Sequence, residues 1–596
     1  MKRPDLGLIR PMFATLALAG MFSAPALLAS KPGSAVPKHP DDKTILHVLN
    51  RLGFGPRPGD IERVRHMGLA AYIDQQLHPE RIADPAVDAR LASFETLDKS
   101  SSDIAENYYL PAQEARRQAQ LAMKDAAPMK ADAPDAGDKP PRTPEEIAAQ
   151  QKAREVILQL SEQKILRAAY SDRQLDEVMT DFWFNHFNVF AQKGATQEYV
   201  TSYERDVIRP HVLGKFRDLL EATAKSPAML FYLDNWQSVD PNGPHPAPGG
   251  PRGRGAFFAR PGRAGGAFGM RVPLPAGRGQ NAKPNPNAQR RGLNENYGRE
   301  LMELQTVGVD GGYTQQDVIN VARAFTGWTF PRPQQGGGAF TFNPQMHDAG
   351  EKIVLGHKLP AGRGIEDGEE VLDIVARAPA TAHFIAFKLA RRFVSDTPPA
   401  GLVDRAAATF MRTDGDIREV VRTIVTSPEF FSHAAYRSKV KSPFEVVVSA
   451  LRALGAQPDR TLRTAQTIAT LGEPIYGHQA PNGWPETGDQ WMNTGAILAR
   501  INFGMAIAAA RIPGVSPVNW KVAEQLASAP VAQQVDGVVG ALLGGGVSPD
   551  TRAILMSGEN PILAAPAAMD TMPKPAVKGL SRIVGLAIGS PEFQRR

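Results

Sequence analysis

The 596-residue chain contains no cysteine. That excludes disulfides, thiolate metal sites and a cysteine nucleophile, and it says little about compartment. Beyond residue 28 the chain has no apolar run of the roughly 20 residues that a membrane-spanning helix needs. It also lacks a nucleophile elbow, a phosphate-cradling glycine loop and a dinucleotide fingerprint; the glycines between Gly308 and Gly312 have no strand before them. Acidic side chains are missing altogether from residues 241–291, where nine Lys and Arg fall among many Gly and Pro. With +9 in that segment, +2 on residues 1–26 and +6 overall, the rest of the chain carries −5. The folded body is therefore mildly acidic, and the basic balance belongs to one segment and the N-terminus.

What is present at the N-terminus reads as a secretory signal. Lys2, Arg3 and Arg10 precede an apolar run from Met12 to Leu28, and Ala24-Pro25-Ala26 offers small residues for cleavage. A membrane anchor is the competing reading, disfavoured by the length of the run and by Pro25. Residues 1–26 are thus expected to be a signal peptide and 27–40 a spacer. Residues 41–596 are expected to form one large helical domain, interrupted by a disordered basic insert at 241–291. Localisation is expected to be periplasmic or extracellular, with no transmembrane segment once the signal is removed. The Arg-Gly pieces of the insert are a weak nucleic-acid signal; on an exported chain no nucleic acid is expected.

Apolar spacing predicts a mainly α fold. Asp41 or Asp42 caps a helix carrying Ile45, Leu49 and Leu52. Further helices are expected over 58–68, 69–77, 146–169, 173–189, 196–208, 216–223, 368–393, 417–426, 444–454 and 494–507. Residues 124–145 read as a loop. Phe340-Thr-Phe342 and Ile353-Val-Leu355 alternate like a small β-hairpin closed by His347 to Lys352. Ile424-Val-Thr-Ser-Pro-Glu-Phe430 is echoed by Ile588-Gly-Ser-Pro-Glu-Phe593, each copy ending a helix.

The densest cluster of ionisable residues lies between Asn294 and Gly308. Asn294 is a good N-cap and Gly308 fits a left-handed stop. Tyr297, Leu301 and Leu304 make the buried stripe; Glu300 falls on its flank, which predicts a half-buried carboxyl. Thr314-Gln-Gln-Asp317 reads as a capping box for the next helix. The order Asn-Glu-Asn-Tyr297, Arg-Glu-Leu-Met-Glu-Leu304, Gly-Tyr-Thr-Gln315 and Ala-Phe-Thr-Gly-Trp328 resembles the bacterial family catalogued as domain of unknown function eighteen-hundred. His47, Arg51, Phe182 to Asn188, Met229 to Asn235 and His347 to Lys352 extend the resemblance over most of residues 41–596. Many members of that family have histidine where this chain has Phe184. The resemblance implies no established activity. Members often neighbour genes for another exported family similar to sulfatases and phosphatases, which implies a co-exported protein partner.

Four residues are candidates for chemistry. His186 sits on an apolar helical face, either as a core histidine bonded to a carbonyl or as a metal ligand or base. Glu300 is the candidate acid or base. His347 and Asp348 lie on a loop, where turn chemistry competes with catalysis. His186, Glu300 and His347 are the candidate ligands of a divalent metal. Arg299 and the aromatic-edged loop residues Trp484, Glu486 and Trp491 are the candidate substrate-binding groups. The expected function is an extracytoplasmic enzyme, metal-assisted hydrolysis of envelope polymer or glycan being the first reading. A non-catalytic binding or assembly protein is the second.

Overall fold

The computed structural model describes residues 35–126, 142–243, 292–331, 338–458, 463–512, 515, 520–560 and 578–596. The signal at 1–26, the spacer up to residue 34, most of the 124–145 loop and the insert from 244 to 291 lie outside the described residues.

The chain is mainly α-helical, with two small antiparallel two-stranded sheets among the described residues. Its helices begin where short-range chemistry supplies partners for orphan N–H groups. Asp41 accepts from Thr44 N at 2.9 Å to start Asp42–Arg51. Asn294 accepts from Asn296 N and Tyr297 N to start Glu295–Glu300. Thr314 and Asp317 form a reciprocal capping box at Gln315–Ala324. Ser442 and Glu445 do the same at Pro443–Ala453, with proline in the first turn.

Three expectations are corrected. Residues 368–393 are two helices, Glu366–Arg377 and Pro379–Phe393. Pro379 has no N–H and biases its predecessor towards extended backbone; Ala378 has ψ 135°. The two alternating runs near residue 350 do not pair with each other. Thr341–Phe342 (β2) pairs with Trp328–Thr329 (β1), and Lys352–Val354 (β3) with His357–Leu359 (β4). Leu355 (φ 48°) and Gly356 (φ 81°) close the β3–β4 hairpin, both in the left-handed region that a tight two-residue turn requires. Third, the Asn294 helix changes pitch. After Glu300 it continues as a π-helix over Leu301–Gln305 before Gly308 (φ 85°). The wider turn moves the buried face from Leu304, which is half-buried, to Met302 and Gln305.

One continuous apolar core runs from Ile45 to Phe593, and a small satellite cluster around Tyr108, Tyr109 and Val156 lies under the Leu110–Ala126 and Pro144–Tyr170 helices. Thr494–Ala508 and Leu580–Gly589 cross at glycines: a Cβ on Gly504 would stand 2.6 Å from Gly585 O. The two Ser-Pro-Glu-Phe copies each follow a helix end. In both, the serine hydroxyl accepts from the phenylalanine N–H, at 3.2 Å for Phe430 and 3.4 Å for Phe593. Among the described residues no helix is long and apolar enough to cross a membrane.

Candidate functional site

A cleft of about 80 Å³ opens where six distant parts of the chain meet. Gln174–His186 supplies Asp181 and Asn185, and Pro144–Tyr170 supplies Lys164. Pro379–Phe393 supplies Arg392, the start of Pro443–Ala453 supplies Glu445, and the 473–491 loop supplies Glu473 and the tryptophans. Backbone pairing delivers the last residues to the same place. Lys439 N donates to Arg596 O at 3.2 Å, Arg596 N returns to Lys439 O at 2.8 Å, and Lys441 N donates to Gln594 O at 2.9 Å. The Arg596 side chain thereby lines the cleft.

The cleft separates its two glutamates electrostatically. Glu445 caps its own helix through Oε2, which accepts from Ser442 N at 3.0 Å. Its Oε1 accepts from Arg392 Nη1 at 2.6 Å and stands 3.2 Å from Arg596 Nε. Burial opposes its charge, but Arg596 and Arg392 outweigh burial and hold the carboxyl at about 2. Glu473 is also buried, and there burial wins. Assisted by the charge of Asp181, burial pushes its carboxyl up to about 7, against the hydrogen bond from Phe444 N at 2.7 Å and the charge of Lys164. Lys164 Nζ itself pairs with Asp181 Oδ1 at 2.7 Å. Glu473 thus titrates near neutral pH, in a cleft that also holds the permanent carboxylate of Glu445. Lys439 pairs with Asp396 and donates to Glu486 O at 2.8 Å; burial and the neighbouring Arg596 push its amine down to about 8.

The predicted substrate-binding loop is part of this cleft. Trp484, Glu486 and Trp491 all line it. The indoles lie 6.0 Å apart at 42°, and Trp491 Nε1 donates to Pro485 O at 3.0 Å. Glu486 pairs with Lys388 at 2.8 Å. The loop is fastened by Asn185, whose Oδ1 accepts from Trp484 N at 2.6 Å while its Nδ2 donates to Trp484 O at 3.0 Å. Arg299 lies elsewhere, donating to Gln315 Oε1 at 2.7 Å on the surface.

Of the other predicted residues, only the neighbours His347 and Asp348 share a hydrogen-bond partner, Thr326. His186 is buried, and its Nε2 donates to Gln305 O at 3.0 Å. That carbonyl belongs to the π-helical turn, and the bond fixes the tautomer with a bare Nδ1. Burial, helped by the charge of Lys388, pushes the imidazole well below its usual range. Glu300 is half-buried as its helical phase predicts; burial and Glu303 raise its pKa, opposed by Arg299. His347 donates from Nδ1 to Thr326 O at 2.9 Å and sits 3.4 Å from Asp367. Asp348 takes a two-pronged bond from Arg323, at 2.6 and 3.0 Å. Burial opposes the Asp348 charge and Arg323 more than restores it. Among the described residues no three His, Asp or Glu side chains form a group able to hold a metal ion, so His186, Glu300 and His347 are not gathered into one ligand set.

Sequence reasoning missed Lys164, Asp181, Arg392, Lys439, Glu445, Glu473 and Arg596. Ser442-Pro-Phe-Glu445 did carry a signal, but as a capping box its glutamate is fully explained by the helix start. Glu473 stands between Gly472 and Pro474, where no periodicity reports burial.

Neither a search of the curated proteins nor one of the solved structures returns a significant match. A family model does match, over residues 47–595, nearly the whole chain. The chain belongs to the family described as "Protein of unknown function (DUF1800)".

Proposed function

We propose that this is an exported enzyme that hydrolyses envelope polymer or glycan by acid–base chemistry in the Glu473 cleft. The observation that carries the reading is a buried carboxyl held near neutrality, Glu473 at about 7, in one cleft with the carboxylate of Asp181, which is ion-paired to Lys164. In this reading Glu473 gives its proton to the leaving oxygen. Asp181, oriented by Lys164, takes the proton of the attacking water. Trp484 and Trp491 present apolar faces to a sugar or peptide unit, and Glu486 accepts from its hydroxyl or amide groups. Export to the periplasm or beyond rests on the basic and then apolar pattern of residues 1–28.

A positioned acid contributes about 10²–10⁴-fold in rate. The test is release of soluble fragments from peptidoglycan and from acidic and neutral polysaccharides by the purified protein, with Glu473→Gln alongside. Turnover on one of these, lost about 100-fold or more in a folded Glu473→Gln, is the expected result. Equal turnover in the variant, or no turnover by the wild type on any of them, refutes the reading.

A second reading, a non-catalytic assembly protein acting with a co-exported partner, draws on a different observation. His186 and His347 each tie one ring nitrogen to an internal carbonyl, and Asp348 is tied into an ion pair with Arg323, as scaffold residues are. A partner captured by the wild type and by Glu473→Gln alike is the result that favours it.

A further inference from the structure

We infer that the arginine-lined wall of the cleft binds a doubly charged oxyanion, so that the group recognised on the substrate is a phosphate monoester. The inference deepens the acid–base reading and takes from it only the location. Its grounds are geometric. Arg596 is buried, with 4% of its side chain exposed, and lines the cleft. Its Nε stands 3.2 Å from Glu445 Oε1 without hydrogen-bonding alignment, and its Nη1 meets no acceptor among the described residues. Arg392 also lines the cleft. One nitrogen serves Glu445, whereas its Nε and Nη2 are buried without an acceptor. Two guanidinium groups that line one space thus carry buried N–H donors without a protein acceptor, and a buried donor without a partner is disfavoured until a ligand or a side-chain shift satisfies it.

Charge points the same way. Arg51 lies behind these two arginines, fully buried and interacting electrostatically with both, and Lys439 lies beside them. Against these four cations stand two permanent carboxylates, Glu445 and Asp396, and the partly ionised Glu473. The other cleft pairs, Lys164–Asp181 and Lys388–Glu486, balance internally. The wall keeps a surplus of buried positive charge, which an anion matches better than a neutral sugar. Arginine forks suit phosphate oxygens in geometry as well as charge. Size agrees: at about 10–15 Å³ per water-sized group, the cleft of about 80 Å³ has room for four oxygens.

The experiment is calorimetric titration of the full-length protein at pH 7.5 with inorganic phosphate, acetate and a neutral hexose, on wild type, Arg596→Gln, Arg392→Lys and Glu473→Gln. Phosphate is expected to bind the wild type at one site, and acetate and hexose to bind at least tenfold more weakly. Affinity should fall about tenfold or more in Arg596→Gln, which loses a charge-assisted donor. Arg392→Lys keeps the charge, loses the fork and tests the same wall should the first variant not fold. Glu473→Gln should bind phosphate at least as well as wild type. No phosphate binding by the wild type overturns the inference. So do equal affinities for phosphate and acetate, and so does binding unchanged in both arginine variants, which marks an adventitious ion only. Polymer hydrolysis without phosphate binding removes this inference and spares the acid–base reading; phosphate binding without hydrolysis does the reverse.

Discussion

Replacing Glu473 with glutamine should stabilise the protein, and only at neutral to alkaline pH. The folded carboxyl titrates at about 7, against an ordinary 4.5. Between those two values the native state holds a proton that the unfolded chain has released. Stability of the wild type therefore falls as pH rises through that window. At about 1.36 kcal/mol for each tenfold, ionising Glu473 in place costs about 3 kcal/mol by pH 8. Glutamine keeps the shape and the acceptor that Phe444 N uses, but has no charge to bury. The assay is urea unfolding of both proteins at pH 5 and pH 8. The variant should match the wild type within about 1 kcal/mol at pH 5 and exceed it by about 3 kcal/mol at pH 8. Taking the difference between the proteins cancels the titrating groups that do not interact with Glu473. A stability difference that does not change between the two pH values would refute the burial argument, and with it the basis for Glu473 as an acid. A natural residue that weakens the fold at working pH is itself a mark of a group retained for chemistry.

The other expectations concern what holds the cleft and the family motifs. Glu445→Gln leaves Arg392 and Arg596 without their carboxylate and should destabilise by about 3–5 kcal/mol, read by urea unfolding at pH 7. Because the wild-type carboxyl is held at about 2, its contribution is present above pH 4.5 and fades as pH falls towards 2. Acid unfolding of the variant should consequently be flatter over that range. His186→Ala removes a buried donor to Gln305 O and opens a cavity, for a loss of about 2–4 kcal/mol. Its metal content by elemental analysis should equal that of the wild type; a metal present at one per chain and lost on this substitution would restore the ligand role. Gly298→Ala should destabilise although alanine favours helix by about 1 kcal/mol. Its Cβ would stand 2.8 Å from Val318 O and 3.0 Å from Ala322 N. Separating the two signature helices costs about 1–3 kcal/mol, measurable as a lower Tm.

Local chemistry was legible in the sequence, and non-local pairing was not. Asp41, Asn294 and Thr314 cap helices because their partners lie within three residues. Glu300 is half-buried because one helical turn decides its phase. Trp484, Glu486 and Trp491 come together because they share one short loop. By contrast, the partner of Phe342 is Trp328, and nothing in the alternation of 340–342 says so. The π-turn at Leu301–Gln305 also escaped, since an extra residue per turn leaves no mark on a pattern read at 100° per residue. The cleft escaped for both reasons. It draws single charges from positions 164 to 596, and a buried charge has no period of its own.

The polar residues that resemble the family pattern and those that line the cleft differ in how their atoms are used. His47 Nε2 donates to Phe430 O at 2.9 Å, His186 to Gln305 O, Asn188 to Ala480 O at 2.8 Å, and Asn235 to Phe325 O at 3.1 Å. Each such bond joins segments about 90 or more residues apart and ends on a main-chain carbonyl. A side chain engaged in that way positions backbone, and its replacement is felt as stability. Arg392, Arg596 and Glu473 are held instead by groups that balance them incompletely, with donors left idle or a carboxyl near neutrality. Incomplete satisfaction inside a cleft is disfavoured in folding and useful only to a ligand or a proton. The motif residues thus build the joints, and the incompletely satisfied groups line the space those joints enclose.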